Sequence, residues 1–177
     1  MKATEAADYE DPSFRVNWKG AHAAGLIRTA YHFAHPSISA SAQAAYFVAT
    51  VRAAGGWNAS STLPLMLDLE DADKLGPAAV WAWVQAFCAD VKALTGKDVL
   101  MYTGYYFWRD SVGNPSDSLG TPLWVAAYIP KPLIPSAWRN YTFWQYTDKA
   151  SVPGIAGGVD GDYFNGDKAA LEAMCFP

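Results

Sequence analysis

The run Pro64-Leu65-Met66-Leu67-Asp68-Leu69-Glu70 is apolar almost throughout and ends in alternating acids. Its short length, the proline at its start and the charged residues after it predict a buried strand over Leu63–Leu69. A helical pattern lies on each side of this strand. Ser39–Ala54 is rich in alanine and carries large apolar residues at helical spacing, and the residues from Pro77 up to Gly96 repeat apolar side chains every three or four positions. The strand is therefore predicted to connect two helices, as in a βαβ unit.

Strand and helix patterns alternate along the rest of the chain. Further strands are predicted over Leu26–Ala34, Val99–Thr103, Leu123–Ala127 and Thr142–Tyr146, and further helices over Phe14–Ala24 and Asp167–Met174. The alternation predicts an α/β fold whose apolar strands are covered by helices. A β/α barrel and a doubly wound sheet both fit, and both concentrate function at the carboxyl ends of their strands.

The composition limits the classes of function. A chain of 177 residues fits one domain, and a net charge of -4 without a cluster of Lys or Arg argues against a nucleic-acid partner. No apolar run approaches the roughly 18 residues that a membrane span requires, and Met1–Glu5 does not resemble a secretory signal. The aromatic content of 15%, with 8 Trp and 10 Tyr, indicates a binding cleft without naming its ligand.

The acidic pair at the end of the central strand is the first candidate site. Successive strand side chains point to opposite faces, so Asp68 and Glu70 share one face. Each carboxylate raises the proton affinity of the other, which produces a general acid beside an ionised partner. The alternative is a solvated loop, Glu70-Asp71-Ala72-Asp73, that begins one residue early. A metal-dependent hydrolase using these acids together with Asp68 is a further alternative, although few histidines are available as ligands.

A second acidic stretch runs from Val159 to Asp167. It resembles part of a calcium loop, but Phe164 stands where an oxygen ligand belongs and no closing Glu follows. No metal or other cofactor is therefore predicted. The plain alternative is a polar turn before the last helix, and spacing alone gives Asp160 and Asp162 little functional weight.

Other side chains leave alternatives open. Tyr102, Tyr128 and Trp144 lie late in or just after their strands and could line a cleft, whereas Phe33 and Phe143 are predicted in the core. His32 has no acidic or Cys neighbour in sequence and is predicted to be packed or hydrogen-bonded. Cys88 and Cys175 form either two buried thiols or one disulfide, and glycosylation sequons begin at Asn58 and Asn140.

An ordered set of short motifs resembles one known family. The motifs are Lys2-Ala3-Thr4-Glu5, Asp11-Pro12-x-Phe14, Ala24-Gly25-Leu26, Tyr31-His32-Phe33, Leu67-Asp68-Leu69-Glu70, Tyr102-Thr103, Leu123-Trp124-Val125-Ala126, Phe143-Trp144-Gln145-Tyr146 and Val159-Asp160 before Phe164-Asn165-Gly166. Together they resemble the family-25 glycoside hydrolases, which are muramidases or lysozymes, over essentially the whole chain.

The resemblance implies a modified TIM-like β/α barrel over residues 1–177 and hydrolysis of the β-1,4 bond between N-acetylmuramic acid and N-acetylglucosamine in peptidoglycan. It implies Glu70 as general acid/base, Asp68 as a stabiliser of developing positive charge, and Asp160 as a further acid of the site. Sugar subsites would be lined by Tyr31, Tyr102, Tyr128, Trp144 and Gln145. It also implies an extracellular, secreted protein whose partner is the peptidoglycan polysaccharide, with neither nucleic acid nor membrane.

One departure from the family pattern modifies these expectations. Members usually begin with a strand that carries Gly-x-Asp-x-Ser, whereas here Met1 stands directly before Lys2. We therefore expect a barrel that is incomplete at its N-terminus, reduced activity, and either a monomer or a dimer paired through exposed strand edges. A non-catalytic glycan-binding module that keeps the aromatic groove is the alternative function.

Overall fold

The computed structural model describes residues 1–57 and 61–177, so the sequon that begins at Asn58 lies outside the described residues. Within that part of the chain there are eight strands and five helices. The strands are β1 Lys2–Glu5, β2 Tyr9–Glu10, β3 Tyr31–Phe33, β4 Met66–Asp68, β5 Leu100–Gly104, β6 Leu123–Ala126, β7 Phe143–Ala150 and β8 Val159–Phe164. The helices are α1 Phe14–Ala23, α2 Ala40–Ala53, α3 Pro77–Thr95, α4 Tyr105–Ser111 and α5 Lys168–Ala173.

All eight strands form one sheet in the order β2-β1-β3-β4-β5-β6-β7-β8. The six strands from β1 to β7 in this order pair in parallel, and the antiparallel strands β2 and β8 lie at the two edges. No pairing between β2 and β8 closes the sheet in the described part of the chain. The fold is therefore an open, modified β/α barrel, as the resemblance implies.

Helix boundaries follow local sequence signals. Ser39 caps α2 by accepting a hydrogen bond from the backbone N–H of Ala42. Pro77 occupies the first turn of α3, and Gly96 ends that helix with φ +79°, a conformation that favours glycine. No helix within the described ranges is long and apolar enough to cross a bilayer.

Two hydrophobic clusters lie on opposite faces of the sheet. The larger cluster packs α1, α2 and α3 against one face and includes Trp18, Phe47, Leu67 and Phe87. Met66 precedes Leu67 in β4, so its side chain points to the opposite face of the sheet and belongs to the smaller cluster. We call this face the inner face and the face with the larger cluster the outer face. Further members of the inner cluster are Leu63, Leu100, Phe143 and Cys175. This cluster fills the interior of the open barrel below the carboxyl ends of the strands.

The two cysteines belong to different clusters and are free thiols. Cys88 lies on α3 in the outer cluster, whereas Cys175 lies in the inner cluster across the sheet. Of the two alternatives left by the sequence, the disulfide is therefore wrong.

His32 occupies the outer face of β3, where it is fully buried. Its Nδ1 lies 2.8 Å from Thr4 Oγ1 and its Nε2 lies 2.8 Å from Gln43 Oε1. Burial lowers the pKa of this ring to about 4, so it is neutral at pH 7. The prediction of a packed, hydrogen-bonded histidine is confirmed.

Several element boundaries differ from the sequence prediction. The strand predicted over Leu26–Ala34 is regular only at Tyr31–Phe33, and Arg28 forms an isolated bridge with Thr62. The last parallel strand extends to Ala150 because β8 pairs with it. The segment interpreted as a polar turn is thus partly a strand, and α4, β1 and β2 were not predicted because their patterns are too short for periodicity to show.

Candidate active site

Four carboxyl groups face one cavity at the carboxyl ends of the strands. Asp68 is the last residue of β4, and Glu70 follows two positions later. Asp160 and Asp162 come from the edge strand β8. All four line the same cavity of about 470 Å³. The rest of the wall is formed by Met1, Lys2, Thr29, Tyr31, Met66, Tyr102, Trp124 and Gln145.

Strand register explains why these side chains meet. Asp68 pairs with Tyr102, and Tyr102 pairs with Trp124, so the three stand side by side on the inner face of β4, β5 and β6. Two residues further along β6, Ala126 pairs with Gln145, and Gln145 pairs with Asp162. Period-two alternation along each strand carries both sets of residues to the same face.

Asp68 is the most enclosed of the acids, with 8% of its surface exposed. Its Oδ1 atom is buried and has no hydrogen-bond partner among the described protein groups. Burial, and then the charge of Glu70, raise the pKa of Asp68 to about 8. Asp68 is therefore mostly protonated at pH 7.

Glu70 lies at the mouth of the cavity and is exposed. Partial burial of its carboxyl, and then the charges of Asp160 and Asp71, raise its pKa above the usual 4.5. Burial also raises the pKa of Asp162, although the Nε1–H of Trp124, 2.7 Å from Asp162 Oδ1, partly opposes the shift. Asp68, Glu70 and Asp162 therefore retain protons at pH values where isolated carboxyls have lost them.

Two tyrosines hold the amide of Gln145. The hydroxyls of Tyr102 and Tyr128 donate to Gln145 Oε1 at 2.9 and 2.8 Å. Burial, and then the nearby acids, raise the pKa of Tyr102, and the same causes raise that of Tyr31 to about 12. These phenols stay neutral, so the inner wall offers flat rings and neutral polar groups beside the acids.

Comparison with known proteins identifies the family of this chain. The model of the glycosyl hydrolases family 25 matches residues 1–155 of the chain. The chain belongs to glycosyl hydrolase family 25.

Several relatives of this family-25 chain carry muramidase or lysozyme names. It is 38% identical to Lysozyme M1 of Streptomyces globisporus, over 98% of this chain and 62% of that protein. It is 37% identical to the N,O-diacetylmuramidase of Chalaropsis sp, over 96% of this chain and 86% of that protein. The crystal structure of the bacterial lysozyme from Streptomyces coelicolor is similar at a TM-score of 0.92 and 38% identity, over 98% of this chain and 83% of that one. The chain thus spans less than two thirds of the length of Lysozyme M1.

Most residues expected in the family-25 site come together. Asp68, Glu70 and Asp160 line the cavity, and so do the expected sugar-site residues Tyr31, Tyr102 and Gln145. Tyr128 joins them through its hydrogen bond to Gln145, with 55% of its surface exposed.

Trp144 is placed elsewhere. It precedes Gln145 in β7, so its ring projects from the opposite face, where it contacts Tyr141, Tyr146 and Tyr163. Its indole N–H donates to Ala127 O at 2.7 Å. The structure therefore separates Trp144 from the cavity.

Trp124 and Asp162 line the cavity although the sequence did not assign them to the site. Trp124 lies four residues before Tyr128, so the alternation of strand side chains places both on the same face. This alternation could have indicated Trp124 as a site residue. Asp162 was noted only as a neighbour of Asp160, since nothing in the sequence shows that β8 is a strand whose alternate residues face inward.

The acidic loop after β4 does not join the cavity as a set. Asp73 instead accepts hydrogen bonds from the backbone N–H and the hydroxyl of Ser37, at 3.0 and 2.7 Å. Within residues 1–57 and 61–177, no group of three His, Cys, Asp or Glu side chains is placed to hold a metal ion. The geometry gives no support to the alternative of a metal site built from Asp68, Glu70, Asp71 and Asp73.

Proposed function

We propose that this chain is a lysozyme-type hydrolase that cleaves the β-1,4 bond between N-acetylmuramic acid and N-acetylglucosamine in peptidoglycan. The observation that carries the proposal is the raised pKa values of Asp68, Glu70 and Asp162 in a cavity walled by tyrosines, tryptophan and a fixed glutamine. The muramidase and lysozyme names of its relatives support the same reaction. Residues 1–177 would act as one catalytic domain, outside the cell where peptidoglycan lies.

Glu70 is the proton donor in this proposal. A glycosidic bond breaks through an oxocarbenium-like transition state, which requires a proton on the leaving oxygen and negative charge near the anomeric carbon. Glu70 is an exposed acid at the cavity mouth, within reach of a polymer, and its raised pKa keeps it protonated at higher pH than an ordinary Glu. After bond cleavage its carboxylate can accept a proton from water.

Asp68 and Asp160 would then have different roles. The resemblance implies that Asp68 stabilises developing positive charge, but its pKa of about 8 makes it a neutral group at pH 7. A neutral carboxyl in an enclosed site can donate a hydrogen bond to a substrate oxygen. The exposed Asp160 is better placed to supply negative charge to the transition state.

The inner wall would bind the sugar rings. Tyr31, Tyr102 and Trp124 offer flat faces for sugar rings, beside the polar Gln145. Because both tyrosine hydroxyls donate to Gln145 Oε1, the amide is held in one orientation. Its NH₂ group is then oriented before substrate arrives, which reduces the entropy lost on binding.

The test compares the wild-type chain with Glu70→Gln, which keeps the size of the side chain and removes its proton. We expect wild type to clear suspended bacterial cell walls and release reducing sugar, and Glu70→Gln to do so about 10²–10⁴ times more slowly while still binding the walls. Asp110→Asn, which removes an exposed carboxylate on α4, is the matched control and should act as wild type.

Two other outcomes would contradict the proposal. Sedimentation of wild type with cell walls, without any release of reducing sugar, would assign the chain as a glycan-binding module. Equal hydrolysis by wild type and Glu70→Gln would remove Glu70 from the mechanism.

A further inference from the structure

A polar cluster at the rim of the sheet lies beside the proposed active site without lining its cavity. It consists of Glu5, His35, Ser37 and Asp73, and we call it the rim cluster. Glu5 ends β1, His35 follows β3, and Asp73 lies in the loop after β4. Since these strands are parallel, the cluster stands at the same end of the sheet as the carboxyl cavity.

His35 joins two carboxylates through its two ring nitrogens. Its Nδ1 lies 2.9 Å from Asp73 Oδ1, and its Nε2 lies 3.1 Å from Glu5 Oε1. A carboxylate only accepts hydrogen bonds, so both ring nitrogens must donate, which requires the doubly protonated imidazolium. The pair of distances therefore indicates a charged histidine between two anions.

The other charges around His35 agree with this assignment. Burial lowers the pKa of His35, but the hydrogen bonds that the ring donates to Asp73 and Glu5 outweigh it and leave the pKa above 6.5. Lys2 pairs with the second oxygen of Glu5. The neutral, buried His32 and the carboxyl of Asp71, which accepts a hydrogen bond from the backbone N–H of Asp73, are further titratable neighbours. Since Glu5 and Asp73 both have lowered pKa values, they remain ionised across the neutral range.

The loop that carries Glu70 depends on Asp73. Among the described residues, no hydrogen bond or ion pair holds the Glu70 carboxyl itself. Asp73 and Lys74 have φ values of +48° and +64°, which side-chain-bearing residues rarely adopt. Such a backbone persists only where its surroundings hold it. Two bonds within the loop contribute to that restraint, from the Asp73 N–H to Asp71 Oδ1 and from the Leu75 N–H to Ala72 O. The bonds from His35 and Ser37 to the Asp73 carboxyl tie the loop to the neighbouring strand end.

We propose that His35 is a positioning residue whose imidazolium, by joining Glu5 to Asp73, fixes the segment 70–75 and with it the Glu70 carboxyl. The proposal rests on the hydrolysis proposed above. When His35 loses its proton, only one ring nitrogen can donate, so one of the two carboxylates is released. Deprotonation of His35 therefore loosens the loop, and catalysis weakens separately from the titration of Glu70.

The test uses His35→Gln, which has a neutral amide in place of the imidazolium, with Asp110→Asn as the control for loss of an ion pair elsewhere. At about pH 5.5 we expect the kcat of wild type to exceed that of His35→Gln by about tenfold, with KM within about twofold. The ratio should fall towards one as the pH rises through the pKa of His35, because the ring of wild type is then also neutral. The Glu70 titration is common to both proteins and cancels from this ratio.

Amide hydrogen exchange of residues 71–75 without substrate provides a second readout. Exchange in this segment should be faster in His35→Gln than in wild type at about pH 5.5, and the difference should shrink as the pH rises through the pKa of His35. Unchanged exchange, or a kcat ratio that is constant with pH, would overturn the positioning role. If wild type hydrolyses no cell wall, the proposed function fails, and the exchange measurement still decides whether His35 restrains the loop.

Discussion

Asp68→Asn should stabilise the folded chain, and the gain should grow with pH. In the folded protein the pKa of Asp68 is raised to about 8, whereas an unfolded aspartate titrates near 3.8. Between these values the native state holds a proton that the unfolded chain has released, so a rise in pH favours unfolding. Each pH unit in this window costs the wild type about 1.4 kcal/mol, which reaches ~4 kcal/mol at about pH 7. The asparagine side chain of the variant has no such proton to lose and so avoids this penalty.

Urea unfolding followed by tryptophan fluorescence, at about pH 4.5, 6 and 7.5, measures the effect as a free energy of unfolding. The stability difference between Asp68→Asn and wild type should widen by about 1.4 kcal/mol per pH unit and level off above about pH 8. Asp8→Asn, which replaces an exposed carboxylate, is the control and should show no such trend. A stability difference that stays constant over this range, or that shrinks as the pH rises, would refute the assignment of Asp68 as a buried, protonated acid.

Three further predictions follow from other parts of the structure. Gly96→Ala should lower the free energy of unfolding by about 1 kcal/mol in urea titrations, because alanine is strained at the φ of +79° that ends α3. The pKa of His32 is lowered to about 4, so its neutral ring contributes fully to the free energy of unfolding above pH 6.5, and this contribution is lost as the pH falls. Urea titrations should therefore show that wild type loses about 3 kcal/mol of stability relative to His32→Phe between about pH 7 and 4. Trp144→Phe should leave KM for cell-wall glycan within about twofold, whereas Gln145→Ala should raise it severalfold, since only Gln145 lines the cavity; equal effects in steady-state assays would contradict their placement on opposite faces of β7.

The pair of Asp68 and Glu70 shows how much of the site a local sequence pattern can predict. The two-residue period of a strand placed Asp68 and Glu70 on one face, and the structure confirms that both line one cavity. The same rule, applied to β7, would have separated Trp144 from Gln145, but the family resemblance implied that both line the sugar subsites. Aromatic content indicates that rings cluster, whereas strand parity decides which face they occupy.

Elements stabilised by distant partners were harder to predict. β8 carries Asp160 and Asp162, yet its sequence, Val159-Asp160-Gly161-Asp162-Tyr163-Phe164, is polar enough to resemble a turn. Pairing with β7 provides its backbone hydrogen bonds, and an edge strand tolerates exposed polar residues. Propensity within the segment gives no sign of either effect.

The sequence by itself determined the alternation of apolar strands and helices, the helix ends at Ser39, Pro77 and Gly96, and the shared face of Asp68 and Glu70. These depend on neighbours within a few positions, where backbone geometry is fixed by residue type. Only the tertiary structure decided that β8 faces β4 across the cavity, that Asp68 is enclosed enough to hold its proton, and that His35 meets Asp73. Those outcomes depend on strand order and on the exclusion of water by residues far apart in the chain, and neither can be predicted from the local sequence.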